Sequence, residues 1–437
     1  MKKLSGFIIL LVVVLAAWAG AGWWIGQQTE QALRQQLTQF NPAQTLVSYE
    51  RSLLGARAVT RLQVSNVLLK RWLDEVQLVH DIRHGPLIWG GKPVFAFVQW
   101  TTRVDQDSLD AETRTALAAA FNDQEPLLAE GTVGFDRQVH IDAQVHPLEL
   151  ALEDSGARLK LDGLEINAQL DPASQRGPLQ ITGGAVEWSD PDMSITAPAL
   201  QLEGELGNAG ELAGMGRFQL KTRDLAVRVA GATEAMMADI DLQVDASQQA
   251  GNLQGKLQLL LDKVRGNPAG IRQFDLALDY AGFNAGGLQI LAGLQSRIQE
   301  LQAQLDWGED DTELPEGRQQ QMQLMMQVQE ASARLLETLF NQVLVADQSR
   351  VQANSKLTLE QGVVDARADL NYHGTGKPVN FDDLLLQGPK EWGNMLRGEL
   401  QLGAGSQCDW GMIWYCCWPI QFQKKPLSSR AMGISWS

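Results

Sequence analysis

Cysteine does not occur before Cys408 in this 437-residue chain. A disulfide scaffold, a thiol nucleophile and a cysteine metal knot are therefore excluded from its body. Bases are also few, 36 Lys and Arg against 52 Asp and Glu for a formal charge of −16. With no basic stripe or aromatic-basic interleaving, nucleic acid is not expected among the partners. Histidine appears five times, too rarely for rich metal chemistry. Disorder is excluded from the other side, because 44% of residues are hydrophobic. Length alone allows about three domains, although one extended sheet can absorb as many residues.

Long apolar runs are absent except at the start. Lys2 and Lys3 precede a stretch from Leu4 to Gln28 without charge, whose core runs from Phe7 to Gly26. About 20 residues at 1.5 Å rise cross a hydrocarbon layer of ~30 Å. Phe7, Leu11 and Val14 supply its apolar body, Trp18, Trp23 and Trp24 suit the far interface, and the lysines favour a cytoplasmic start. A cleaved signal peptide competes, since Ala17-Trp18-Ala19 and Ala19-Gly20-Ala21 offer small-x-small sites. The apolar run continues past both sites through Trp24-Ile25, which favours an uncleaved anchor. With no cysteine nearby, lipid modification is excluded. Leu33, Leu37 and Phe40 then extend a helical stalk until Asn41-Pro42, a solvated spacer with one sticky edge.

Downstream, the dominant pattern has period two. Val133, Phe135, Val139, Ile141, Ala143 and Val145 alternate with Asp136, Gln138, His140, Asp142, Gln144 and His146. Similar runs recur at Leu148-Leu150-Leu152, Leu164-Ile166-Ala168-Leu170, Leu200-Leu202-Leu206, Ile240-Leu242-Val244, Leu257-Leu259-Leu261, Phe274-Leu276-Leu278-Tyr280 and Ala366-Ala368-Leu370. Turn residues such as Asp171-Pro172, Asp190-Pro191 and Gly207-Asn208 separate them. Short links between alternating strands specify an antiparallel meander. The expected fold is α+β and β-dominated, a large, one-sided, curved antiparallel sheet of repeated hairpins with a few covering helices and one N-terminal transmembrane helix. Helices are expected near Ala111–Leu128, Gly287–Leu305 and Arg318–Leu344, with the Met322, Met325 and Met326 stripe of the last assigned to core packing. The segments are 1–26 tip and anchor, 27–45 stalk, 46–281 β body, 282–346 helical insert packing on the sheet, 347–405 C-terminal β segment and 406–437 an aberrant tail.

Chemistry is harder to find. His80 and His84 sit four residues apart, but Val76, Leu78, His80, Ile82 and His84 alternate as a strand, which separates the two by about 13 Å. One metal ion cannot join them. His140, His146 and His373 stand in polar or loop contexts, and Asp310-Asp311 and Asp382-Asp383 lack an apolar pocket to raise a carboxyl pKa. No nucleophile elbow, phosphate loop or dinucleotide turn occurs. No enzyme, catalytic residue, metal or cofactor is expected, and an envelope hydrolase is the least favoured alternative.

Asp81-Ile82-Arg83-His84-Gly85-Pro86-Leu87 resembles the hallmark of the YdgA-like family of bacterial inner-membrane proteins, a domain of unknown function. Its placement after an apolar N-terminus and after Val47-Ser48-Tyr49-Glu50-Arg51-Ser52-Leu53-Leu54-Gly55, and ahead of repeated hairpins and Ser355-Lys356-Leu357-Thr358-Leu359-Glu360, extends the likeness to about residue 405. The resemblance implies a protein fixed in the inner membrane with its bulk in the periplasm, and brings no catalytic residue or cofactor. Locally, His84-Gly85-Pro86 is expected to end a strand in a turn, with Gly85 for a permissive φ and Pro86 for a fixed one.

Residues 406–437 hold Cys408, Cys416 and Cys417, four of the thirteen tryptophans, and Asp409 alone against Lys424, Lys425 and Arg430. Alternation stops there, which is the mark of out-of-frame translation; a cysteine-tryptophan metal or disulfide element is the alternative. Reading the gene in its other frames decides between them. The expected function is a non-enzymatic periplasmic binding or envelope-assembly module whose apolar concave face holds lipid, such as an acyl chain, or a partner subunit, with homo-oligomer formation open. A purely structural envelope protein is the runner-up.

Overall fold

The computed structural model describes residues 25–31, 33–34, 44–52, 54–63, 75–90, 92–152, 156–171, 174, 176–207, 215–231, 235–267, 269–307, 315–374, 376–380, 395–404 and 432–436. The anchor positions Phe7, Leu11, Val14, Trp18, Trp23 and Trp24 lie outside the described residues. Among the described residues no helix is long and apolar enough to cross a membrane. The chain forms two compact units, Met1–Gly210 and Glu211–Ser437. Both are β-dominated and antiparallel, as the alternation requires.

In the first unit, helix α1, described at residues 25–31 and 33–34, precedes β1 (Gln44–Arg51), β2 (Gly55–Gln63) and β3 (Glu75–His84). A small hairpin of β4 (Leu87–Gly90) and β5 (Lys92–Phe95) stands apart as its own sheet. Then come β6 (Val98–Val104), helix α2 (Ala111–Ala120), β7 (Leu127–Val133) and β8 (Val139–Val145). The pairing runs β1-β2-β3-β6-β7-β8. Asp110 caps α2 by accepting from Thr113 N at 2.8 Å. This helix stops short of the expected Leu128, because Asn122 and Asp123 adopt positive φ and Leu127 already belongs to β7.

Beyond β8 the strands come in collinear pairs: β9 (Leu148–Leu152), β10 (Ala157–Leu161) with β11 (Leu164–Leu170), β12 (Gly177–Gly183) with β13 (Val186–Ser189), and β14 (Met193–Ala197) with β15 (Leu200–Leu206). Leu161 faces Leu148 while Leu164 faces Val145, so Asp162-Gly163 lies opposite His146-Pro147 with no net slip. The same holds for Asp162-Gly163 against Gly184-Ala185, which exchange bonds from Asp162 N to Ala185 O (2.9 Å) and from Gly184 N to Gly163 O (3.1 Å). Pro198-Ala199 continues the line into the fourth strand. Four long strands are thus creased at one level. Apolar positions switch there from odd (Ile141, Val145) to even numbers (Leu148, Leu150), a change of phase that a regular pleat would turn into a change of face.

The second unit is a meander of β16 (Gly216–Val229), β17 (Met236–Gln249), β18 (Asn252–Arg265), β19 (Ile271–Asn284), β20 (Arg350–Leu359), β21 (Gly362–Tyr372), β22 (Leu396–Ala404) and β23 (Met432–Trp436), each paired with the next. β23 comes from the tail and pairs along β22, the edge that an out-of-frame ending would leave open. Between β19 and β20 the chain makes helices α3 (Ala285–Trp307) and α4 (Pro315–Thr338), followed by a π-helical turn at Leu339–Val343. Asn284 starts α3 by accepting from Gly287 N at 2.9 Å. Leu291, Leu294, Ile298, Leu301 and Leu305 alternate in steps of three and four, as do Leu324, Val328, Ala331 and Leu335, which gives each helix a narrow seam for the other. The helices pack chiefly on each other and meet the strands at their base, where α3 leaves β19. The methionine stripe therefore corrects the core assignment: Met322, Met325 and Met326 are 65%, 55% and 65% exposed. Phe340, Tyr372, Val379 and Met395 form the compact core of this unit, with Tyr372 Oη donating to Phe340 O at 3.0 Å.

Candidate functional site

The even-numbered side chains of β3 place His80, Ile82 and His84 on one face, beside β2 and β6. His80 pairs with Ala58 and Thr102, Ile82 with Ala56 and Trp100, and His84 with Val98. Alanines at 56 and 58 leave that face low, and α1 lies on it. Ile25, 7% exposed, joins Ala56, Ala58, Ile82 and Val98 in the core, and Leu33 and Tyr49 pack against them. At Gly26 the approach is closest, since a Cβ there would stand 3.0 Å from His84 Nε2. The stalk beginning at residue 27 is thus not a free spacer: its described part is docked, because small residues from two distant segments remove the bulk between helix and sheet.

Under that helix the sheet carries buried polar groups. Gln44 Nε2 donates to Thr60 Oγ1 at 2.7 Å, Thr60 Oγ1 shares a hydrogen bond with His80 Nε2 at 2.8 Å, and His80 Nδ1 shares one with Thr102 Oγ1 at 2.8 Å. A neutral imidazole gives one N–H and one lone pair, so it satisfies both hydroxyls. Burial pushes the His80 pKa down to about 4 from 6.5, against a smaller upward pull from Asp81. His84 is 2% exposed, with neither ring nitrogen hydrogen-bonded. Burial, then the Arg51 charge, lowers its pKa as well. Both imidazoles are therefore neutral at pH 7.

This arrangement supports no acid–base pair. Asp81 turns to the opposite face, where it accepts from Arg103 at 3.1 Å, and Glu30 of α1 pairs with Arg34 at 3.0 Å. With both His80 nitrogens committed to threonines and β3 extended, the two histidines do not converge on a metal ion. Among the described residues no cluster of His, Cys, Asp or Glu could hold one. A third histidine, His373, bonds through Nδ1 to Asp347 at 2.7 Å in an open groove of about 600 Å³. Ser349 lines the same groove, but its hydroxyl donates to Gly282 O and accepts from Val345 N, so it is no nucleophile for that pair. His140 is exposed as expected, whereas His146 buries an unpaired Nδ1.

The triplet His84-Gly85-Pro86 ends β3, as expected, but for a different reason at its centre. Gly85 does not adopt a positive φ. What it provides is space, because a Cβ would fall 1.6 Å from Ala96 O. Gly85 N donates to Phe97 O at 2.7 Å, and the Gly85–Pro86 peptide is cis. Close by, the Trp100 ring lies over Gly131, its cross-strand partner, where a Cβ would overlap the indole. His84, Gly85 and Pro86 thus fix a strand end between α1 on one side and the β4–β5 hairpin on the other. Gly26, Ala56, Ala58, Thr60 and Thr102 complete the site; the alternating small residues of Ala56-Arg57-Ala58 are the one signal in the sequence that marks the helix seat.

Acid should weaken this unit. The unfolded chain protonates His80 near 6.5, the folded chain near 4, so stability is complete above about pH 6.5 and falls toward about pH 4 by about 3 kcal/mol. Urea unfolding of the full chain across that window is expected to show the loss, with a shallower slope for His80→Gln. Equal slopes would exclude His80 as the source.

No curated protein and no solved structure matches the chain. The profile of a family described as bacterial protein of unknown function (DUF945) matches residues 1–391, and the chain belongs to that family.

Proposed function

We propose that this protein is a YdgA-like, single-pass inner-membrane protein with its bulk in the periplasm, a binding module and not an enzyme, whose second unit takes acyl chains of membrane lipids on an apolar sheet face. One observation carries the proposal. Three cross-strand rows run without interruption through β16, β17, β18, β19, β20 and β21: Thr222-Ile240-Leu261-Phe274-Leu357-Val364, Leu220-Leu242-Leu259-Leu276-Ser355-Ala366 and Phe218-Val244-Leu257-Leu278-Ala353-Ala368. No charge interrupts them, and apart from buried Thr222 every member is half-buried. At about 4.8 Å per strand the face is about 24 Å long.

The reverse face is polar, with Arg217–Asp245 at 3.3 Å, Lys256–Asp279 at 3.3 Å and Lys263–Asp239 at 2.6 Å bridging neighbouring strands. Helices α3 and α4, the nearest candidates for a cover, spend their seams on each other. A long aliphatic face suits a flexible hydrocarbon better than a second rigid sheet, and the N-terminal apolar run would keep lipid at hand. Native mass spectrometry of the full chain extracted in mild detergent is expected to show phospholipid adducts on the monomer. A lipid-free dimer would favour a partner copy, and a lipid-free monomer a purely structural role; either ends the acyl-chain proposal.

A further inference from the structure

The β4–β5 hairpin leaves the sheet directly after His84-Gly85-Pro86 and folds into a two-stranded ribbon of opposite faces. In its register Leu87 pairs with Phe95, Ile88 with Val94 and Trp89 with Pro93. Ile88, 2% exposed, turns toward the body, and Ala96 at the root is fully buried. The other face is turned away: Trp89 is 74% and Phe95 70% exposed, with Pro93 exposed between them. Arg83 Nη1 donates to Trp89 O at 3.3 Å, which ties the ribbon back to β3. Two large aromatics held outward on a braced ribbon are costly in water and need an apolar contact.

The position of the ribbon says which contact. The apolar run of Phe7 to Gly26 lies upstream, and it delivers the chain into α1 at Ile25-Gly26. Gly26 stands against His84, and two residues later Pro86 opens the hairpin. The point where the chain leaves its apolar run and the root of the ribbon are therefore neighbours, and a ribbon of four-residue strands reaches only about 13 Å from that root. We infer that Trp89 and Phe95 seat in the lipid headgroup region beside the anchor, a second, non-spanning contact that fixes the first unit against the bilayer surface. Tryptophan is the residue for that depth, with an apolar ring for the acyl boundary and an N–H for the headgroups. A protein partner would place the same ribbon against a protein surface and leave it in water when the protein is alone in a vesicle.

Because this inference rests on the membrane-anchored reading above, its test separates the two. The full chain, with Cys408, Cys416 and Cys417 changed to serine, is labelled with an environment-sensitive fluorophore at Trp89→Cys, at Phe95→Cys or, as reference, at Gln258→Cys, an exposed position on the polar face of the second unit. Each is reconstituted into vesicles of phosphatidylethanolamine and phosphatidylglycerol carrying brominated acyl chains. Flotation tests the anchor, and bromine quenching tests the ribbon. The expected result is flotation with quenching at 89 and 95 at least about twofold above that at 258. Flotation with equal quenching at all three sites overturns the ribbon contact and leaves the anchor standing. A protein that does not float after alkaline washing overturns both.

Discussion

Gly85→Ala is expected to lower the melting temperature of the full chain by roughly 6–12 °C. The added methyl has nowhere to go: its ideal position is 1.6 Å from Ala96 O and 2.8 Å from Ala96 C, and a backbone carbonyl cannot swing aside as a side-chain tip can. Ala96 is itself fully buried and opens the approach to β6. The cost of such overpacking is about 3 kcal/mol or more, which for a unit of this size gives the stated shift. Gly293→Ala is the control. Gly293 lies inside α3 with nothing within 4 Å of its would-be Cβ, so alanine is expected to be neutral or to stabilise by about 0.5–1 kcal/mol. Thermal unfolding followed by circular dichroism checks both, and a Gly85→Ala chain that melts with the parent would refute the steric role of Gly85.

Leu259→Asp is expected to cut the lipid recovered with the purified protein at least about fivefold while leaving the far-ultraviolet spectrum unchanged. Leu259 sits at the middle of the apolar face of the second unit, between Leu242 and Leu276, and is only half-buried. A carboxylate there keeps its water in the unliganded protein, so folding loses little, but a hydrocarbon laid across it strips that water at a cost of several kcal/mol. The neighbouring Gln258, exposed on the polar face, serves as control: Gln258→Glu should leave lipid recovery at the parental level. Equal lipid content in the Leu259→Asp and parent proteins would exclude this face as the acyl site.

Much of the architecture is legible in the alternation. Where oil-facing and water-facing residues take turns, as from Ile240 to Val244 or from Phe274 to Tyr280, a strand is present, but the run from Val133 to Val145 is two strands, β7 and β8, because Phe135-Asp136 form a turn and Arg137 adopts a positive φ. Asn284 before the Ile290-Leu291-Leu294 stripe marks a helix start, and the structure begins α3 at Ala285. What the pattern could not convey is pairing at a distance. Gly26 and His84 meet across more than fifty intervening positions, and nothing periodic about either predicts the other, so the pattern does not reveal the docking of α1. Gly85 stands out by its neighbours, but its purpose does not, since a close approach to Ala96 O depends on where the chain returns after the hairpin. A methionine stripe at helical spacing points inward by default, but in α4 the three-four seam of Leu324, Val328 and Leu335 takes the inward side and leaves Met322, Met325 and Met326 exposed.

The crease in the first unit sets unequal tolerances along its strands. Because His146-Pro147, Asp162-Gly163, Gly184-Ala185 and Pro198-Ala199 stand level, each strand's two halves keep step with both neighbours only while all four links contain the same number of residues. Loss of a single codon at one link would throw half a strand out of phase with its flanks and turn its leucines toward water. Loss of one at a hairpin tip, as between Leu152 and Ala157, shortens a loop and disturbs no neighbour. Length variation in this lineage should therefore collect at the hairpin tips and stay away from the fold line that crosses the sheet.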